Sequence, residues 1–145
     1  MILPEGLLFI FSRNIKIIFS DIKIHHTVFA LPFAVMSAFL ASEGSPRWSI
    51  LMWIFFAMFG ARNAAMGFNR IVDSKIDKLN PRTKDRALPA GKLSVNSYWF
   101  FLFVSSALFV FSAFQLNQLA FMLSPVALVI VFGYSFAKRF TSLSH

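Results

Sequence analysis

Uncharged apolar runs alternate with short charged segments along this chain. Residues 24–42 form nineteen consecutive positions without a formal charge, and residues 93–137 form forty-five. A membrane-spanning helix needs about 20 apolar residues, so the first run predicts one span at 24–42, with Pro32 tolerated inside it. The second run is too long for one span, and Gln115, Asn117 and Gln118 divide it into spans at 95–114 and 119–137. A further span, 48–70, is interrupted only by Arg62, and Gly44 and Pro46 mark a tight turn before it. Residues 5–23 differ. Leu8, Phe11, Ile15, Ile18, Phe19 and Ile22 form one helical face, and Arg13, Lys16, Ser20 and Lys23 form another, which predicts an amphipathic helix lying in the membrane surface. Glu5 in place of a basic start, and no small-residue cleavage site, argue against a signal peptide. The expected architecture is an all-α polytopic membrane helix bundle, with four transmembrane helices and an N-terminal interfacial helix.

Composition agrees with a protein embedded in the lipid bilayer: 57% of the 145 residues are hydrophobic, twenty of them Phe. There is no cysteine, so disulfides and thiolate metal sites are excluded. The formal charge of +8 sits in short loops beside apolar runs, which topology explains better than nucleic acid does, and no nucleic-acid partner is expected. Arg13, Lys16 and Lys23, the loop 71–94, and Lys138 with Arg139 fall on one side of the predicted spans, against Arg47 alone on the other. The positive-inside rule therefore puts the N-terminus, the central loop and the C-terminal end in the cytoplasm.

The charge is concentrated where the second span leaves the membrane. Asn69, Asp73 and Asp77 recur every four residues, with Arg62 and Met66 earlier on the same helical side. Two carboxylates at this spacing repel each other, and they stand at a helix C-terminus whose dipole disfavours negative charge, just before Asn80 and Pro81 end the helix. A divalent cation reverses both penalties, and Mg²⁺ is commonly held by one or two carboxylates together with substrate phosphates. Lys75, Lys78, Arg82, Lys84 and Arg86 supply counter-charge for such phosphates. The competing reading is a solvated helix end with Arg70 paired to Asp73 and Lys78 beside Asp77. Asn69, Arg62 and the length of the basic loop favour the site. Such a site suits a substrate with a diphosphate head at the cytoplasmic surface and a lipid tail between helices. If the diphosphate leaves, the allylic cation left behind can be stabilised by ring faces such as those of Phe55, Phe56, Phe59 and Phe68, although most of these are expected to be packing residues. His25 and His26, at the start of the first span, are read as interfacial polar residues, the sharper alternative being contact with an aromatic acceptor.

NRIVDSKID followed by NPRTKDRALPAGKLS resembles the first aspartate-rich motif and adjoining loop of the UbiA family of intramembrane aromatic prenyltransferases. HTVFALPFAVMSAFLA is similar to that family's first helix, ARNAAMGFN to its second, and YSFAKRFT to the end of its fourth. The nearest likeness is to 4-hydroxybenzoate polyprenyltransferases and related menaquinone-pathway enzymes of bacteria. The resemblance implies Mg²⁺-dependent transfer of a polyprenyl group from polyprenyl diphosphate to a ring carbon of an aromatic acid acceptor in quinone synthesis, at a bacterial inner membrane. It implies that Asn69, Asp73 and Asp77 hold Mg²⁺. Lys75, Arg82, Arg86, Tyr134 and Lys138 would bind the diphosphate, and Arg62 would line the central cavity. Arg70 stands where many members have Asp.

The resemblance also implies a nine-helix bundle with a second aspartate motif after the sixth helix. Only the first motif occurs here, since Asp21 and Asp85 have no carboxylate at the matching spacing. The chain is accordingly expected to be the N-terminal part of a single prenyltransferase domain, inactive by itself. A CDP-alcohol phosphotransferase is disfavoured, because Asn69 occupies a position its motif reserves for Gly. The alternative from another class is a non-enzymatic four-helix membrane protein, a small transporter or assembly subunit, in which Arg62 and the aspartates form a structural ion network.

Overall fold

The computed structural model describes residues 5–22, 27–42 and 44–137. Five helices follow in order: α1 (Glu5–Asp21), α2 (Thr27–Ala41), α3 (Trp48–Asp77), α4 (Val95–Leu116) and α5 (Gln118–Ala137). Among the described residues there is no strand. Three helices, α3, α4 and α5, are long and apolar enough to cross a membrane, whereas α2 has 15 residues. The protein is thus an all-helical membrane protein. His25 and His26 lie outside the described residues, as do Lys138 and Arg139.

The sequence accounts for where the helices start, stop and bend. Ser94 caps α4 by accepting from the Ser97 N–H at 3.3 Å. Asn117 is extended, with φ −169°, and its side chain accepts the Ala120 N–H at 2.7 Å, so one residue ends α4 and opens α5. Pro125 inside α5 cannot donate to the Phe121 carbonyl; the Ser124 hydroxyl does so instead, at 2.8 Å.

Helices α3 and α4 share the most extensive interface, and small residues permit it. Gly60, Asn63, Ala64 and Gly67 are the buried face of α3, opposite Ser105, Ser112 and Ala113 of α4. Helix α5 is tied on by aromatic rings: Phe68 of α3 lies 4.7 Å from Phe132 and 5.6 Å from Phe136, centroid to centroid.

The apolar core sits at one end of the bundle, where Ile18 and Ile22 pack with Ala87, Leu93 and Tyr98. Phe19 of α1 enters between Phe59 of α3 and Phe101 of α4, at 6.3 and 5.9 Å. The C-terminal half of α1 therefore spends its apolar face on α3, α4 and the loop between them, while Arg13, Lys16 and Ser20 stay exposed. The amphipathic pattern predicted a helix; what that face covers, in this half, is protein.

A Cβ at Gly60 would come within 2.8 Å of both the Phe109 backbone nitrogen and the Ser105 carbonyl oxygen. Gly60→Ala is expected to cost about 1–3 kcal/mol of overpacking, more than the ~1 kcal/mol of helix propensity that Ala returns. At Gly67 the nearest obstacle is the Phe101 ring edge at 3.3 Å, which can turn aside. Thermal unfolding in detergent should show Gly60→Ala markedly less stable and Gly67→Ala close to neutral; equal midpoints would mean that α3 and α4 do not approach this closely.

Candidate active site

The segment after α3 is ordered by its own local chemistry. Asn80 acts as a cap, its side-chain oxygen accepting the Arg82 N–H at 3.0 Å and its carbonyl accepting from Thr83 and Lys84 at 3.0 and 2.9 Å. Pro81 stands at the first position of that turn, where its missing N–H costs nothing. A second turn closes at Gly91, with φ 69°: the Gly91 N–H bonds the Leu88 carbonyl and the Lys92 N–H the Ala87 carbonyl, the paired pattern of a glycine-terminated helix end. NPRTKDRALPAGK is therefore two helical turns in tandem, and the basic side chains are carried on a shaped scaffold.

Two carboxylates attach this scaffold to the bundle. Asp77, buried at the end of α3, accepts from Arg86 Nη1 at 2.7 Å, and its backbone carbonyl accepts from the Thr83 hydroxyl at 3.1 Å. Asp21, at the end of α1, does more. One of its oxygens accepts the Ala87 N–H at 3.2 Å and the other accepts the Tyr98 hydroxyl at 2.6 Å. Arg70 Nε lies 3.1 Å from that second oxygen, held there by charge rather than by an aligned hydrogen bond, while Arg70 Nη2 donates to the Asp21 carbonyl at 2.8 Å. Both side chains of this pair are only 8% exposed.

Between α1 and the loop opens a polar cleft of about 840 Å³. Five of its lining side chains are basic, namely Lys16, Arg70, Arg82, Arg86 and Lys92, against the acidic Asp21 and Asp85. Arg70 and Arg86 are neutralised by their carboxylates, but no partner is found for the side chains of Lys16 and Arg82 among the described residues. A cleft of this charge favours phosphate-like anions.

The residues singled out from the sequence are distributed as follows. Asn69 and Asp73 are half-buried near the end of α3, and Asp77 is buried. Arg62 is half-buried further back in α3, and Lys75 is exposed. Arg82 and Arg86 share the cleft, whereas Tyr134 is exposed on α5. No group of three or more His, Asp or Glu side chains that could hold a metal together exists among the described residues. With Asp77 paired to Arg86, the candidate donors are the Asp73 carboxylate and the Asn69 amide, which suit an ion shared with a phosphate-bearing substrate rather than a closed protein cage. Arg70 pairs with Asp21, a partner that the sequence reading, which weighed Asp73 for it, did not offer. Phe55, Phe56, Phe59 and Phe68 all pack against other rings. Asp21 was missed as a site residue. The available signal was its level: it closes an amphipathic helix on the side of the membrane to which Arg70 and the basic loop were assigned.

Comparison with known proteins identifies the family. The UbiA prenyltransferase family matches residues 30–145. The 4-hydroxybenzoate octaprenyltransferase of Vibrio parahaemolyticus is 35% identical over 112 residues, covering 75% of this chain and 38% of that protein. Its namesake from Tolumonas auensis is 40% identical over 105 residues, covering 72% and 36%. The apo structure of a UbiA homolog from Aeropyrum pernix is similar with a TM-score of 0.78 and 40% identity, over 84% of this chain and 44% of that one. The chain thus spans less than half the length of these relatives. With Asn69, Asp73 and Asp77, the basic loop and helices α3 to α5 all inside the matched region, this chain belongs to the UbiA prenyltransferase family.

Proposed function

We propose that this chain supplies the diphosphate-binding half of an enzyme that transfers a polyprenyl group from its diphosphate to a ring carbon of a 4-hydroxybenzoate-like acid, in ubiquinone or menaquinone synthesis. The observation that carries the reading is the placement of Arg82 and Arg86 on an ordered scaffold that is bonded back to Asp77 at the end of the aspartate-bearing helix. The relatives named as 4-hydroxybenzoate octaprenyltransferases supply the substrate class.

The chemistry asked of these residues is leaving-group stabilisation. As the allylic C–O bond breaks, both electrons go to the diphosphate, and the allylic carbon forms its new bond to the aromatic ring, which then loses a proton. Arg82, with Arg86 and Lys75, would hold the diphosphate and take up the charge that develops on it. Asn69 and Asp73 would hold Mg²⁺, which contributes further positive charge to the same oxygens. Tyr134 of α5 and, four residues on, Lys138 would contact the diphosphate, and Arg62 would line the cavity on the membrane side. The apolar helices α3 to α5 would accept the polyprenyl tail. The enzyme would lie in a bacterial inner membrane with the loop facing the cytoplasm.

Titration of the chain in detergent with inorganic pyrophosphate tests the reading. Binding should require Mg²⁺, and Asp73→Asn should weaken it about tenfold. Binding indifferent to Mg²⁺ and to Asp73 would sink the proposal. The Asp77 to Arg86 pair favours a second, structural role for that one carboxylate. Asp77→Asn should therefore lower stability by roughly 1–2 kcal/mol, the range for a hydrogen-bonded ion pair that is partly screened by solvent. The chain alone should bind but not transfer a prenyl group, since it carries one aspartate motif of the two; turnover by the purified 145 residues would refute this.

Orientation is testable because the chain has no cysteine. A membrane-impermeant thiol reagent should label Lys84→Cys only in inside-out vesicles and Ser45→Cys only in right-side-out ones. The reverse pattern would put the site on the wrong side for cytoplasmic diphosphates.

A further inference from the structure

We propose that Asp21 is a positioning residue through which the interfacial helix α1 holds the basic loop at the candidate diphosphate site. The proposal rests on the functional reading above for its consequence, but not for its geometry.

Asp21 lies nine residues before the family match begins at residue 30, and α1 as a whole precedes that match. Its carboxylate nevertheless reaches both halves of the site. Arg70, which it neutralises, is the neighbour of Asn69 on α3. Ala87, whose N–H it accepts, is the neighbour of Arg86 in the loop, and Arg86 in turn pairs with Asp77. Tyr98 of α4, 0% exposed, donates to the same carboxylate and fixes its direction. One acidic group thus joins α1, α3, the loop and α4 over sequence separations of 49, 66 and 77 residues.

The loop has two kinds of anchor besides. Ala87 and Leu93 pack on Ile18 and Ile22, again from α1, and Arg86 and Thr83 hold Asp77. Arg82, Lys84 and Asp85, on the outer side of the loop, are exposed. If α1 shifts, the Ala87 N–H, the apolar contacts and the charge partner of Arg70 are all lost together. Of these, the Asp21 carboxylate supplies the polar contacts to α3, the loop and α4 at once. It touches no part of the expected substrate and acts only through Arg70 and Ala87.

Limited trypsin digestion of the full chain in detergent reads this directly, because the loop offers Arg82, Lys84 and Arg86 while Arg47 in the α2–α3 connection is an internal control. Asp21→Asn keeps one acceptor oxygen but removes the charge opposite Arg70. It should speed cleavage in the loop about tenfold, as expected when a charge-assisted contact no longer opposes local opening, with the Arg47 rate unchanged. Tyr98→Phe, which removes one hydroxyl, should speed it about threefold on the same grounds. Asp21→Glu should restore part of the protection. Unchanged loop cleavage in a folded Asp21→Asn chain would overturn the proposal, as would equal acceleration at Arg47, which would make Asp21 a general fold staple. Should Asp21→Asn not fold, Tyr98→Phe decides by the same two criteria. Pyrophosphate with Mg²⁺ separates this inference from the function itself. Asp73→Asn should lose protection of the loop by pyrophosphate without loosening the free loop, whereas Asp21→Asn should loosen the free loop and need about fivefold more pyrophosphate. No protection in the unmodified chain would count against the diphosphate reading and leave the role of Asp21 standing.

Discussion

A carboxylate and a guanidinium taken out of water at the end of a membrane bundle stay charged only if they neutralise each other, and the Asp21 and Arg70 pair does so. Each side chain is 8% exposed, and removal of either leaves the other charged and desolvated, a far larger penalty than the net worth of the pair itself. The remaining capacity of the carboxylate goes to the Ala87 N–H and the Tyr98 hydroxyl. These four groups come from α1, α3, the loop and α4, so their geometry fixes the relative placement of those elements at the end of the bundle where the candidate site lies. The apolar cluster of Ile18, Ile22, Ala87, Leu93 and Tyr98 surrounds the same point and keeps water from it.

The three donors on α3 divide because four-residue spacing does not match the helix period. Each step of four residues advances about 40° around the axis, so Asp77 is turned about 80° from Asn69, toward the side on which Arg70 meets α1. There Arg86 takes it. Asn69 and Asp73 remain on the adjoining face, in line with Arg62 two turns earlier. A motif that reads as three equivalent ligands therefore comprises one carboxylate engaged in holding the loop and two donors placed differently. The relatives run on for more than half of their length beyond what this chain matches.

The bundle behind the site is held by devices suited to an apolar surround. Where lipid and side chain are equally apolar, close backbone approach and shared rings provide the attraction, as at Gly60 against α4 and Phe68 against α5. One serine carries out a local repair, Ser124 for the carbonyl that Pro125 frees, and the buried Ser112 hydroxyl is satisfied within its own helix by the Leu108 carbonyl. These contacts hold α3 rigid along its 30 residues, so that its charged end is presented at a defined height.

Much of this was legible in the order of residues, because membrane helices follow from length and polarity alone. The helix identities, the break at Asn117, the Asn80 and Pro81 turn and the Gly91 stop are all encoded locally, in segments of a few residues. The family likeness was equally local, carried by contiguous motifs. The partner choices were not. Asp21 and Asp73 look alike along the chain, and Arg70 has an acid three residues away on its own helix. Yet Arg70 pairs with a carboxylate 49 residues distant, since only the packing of α1 into the corner between α3 and α4 removes water from that pair. Local spacing sets which residues share a face; desolvation, which depends on every element packed around a group, determines which of them must find a partner and where in the chain that partner lies.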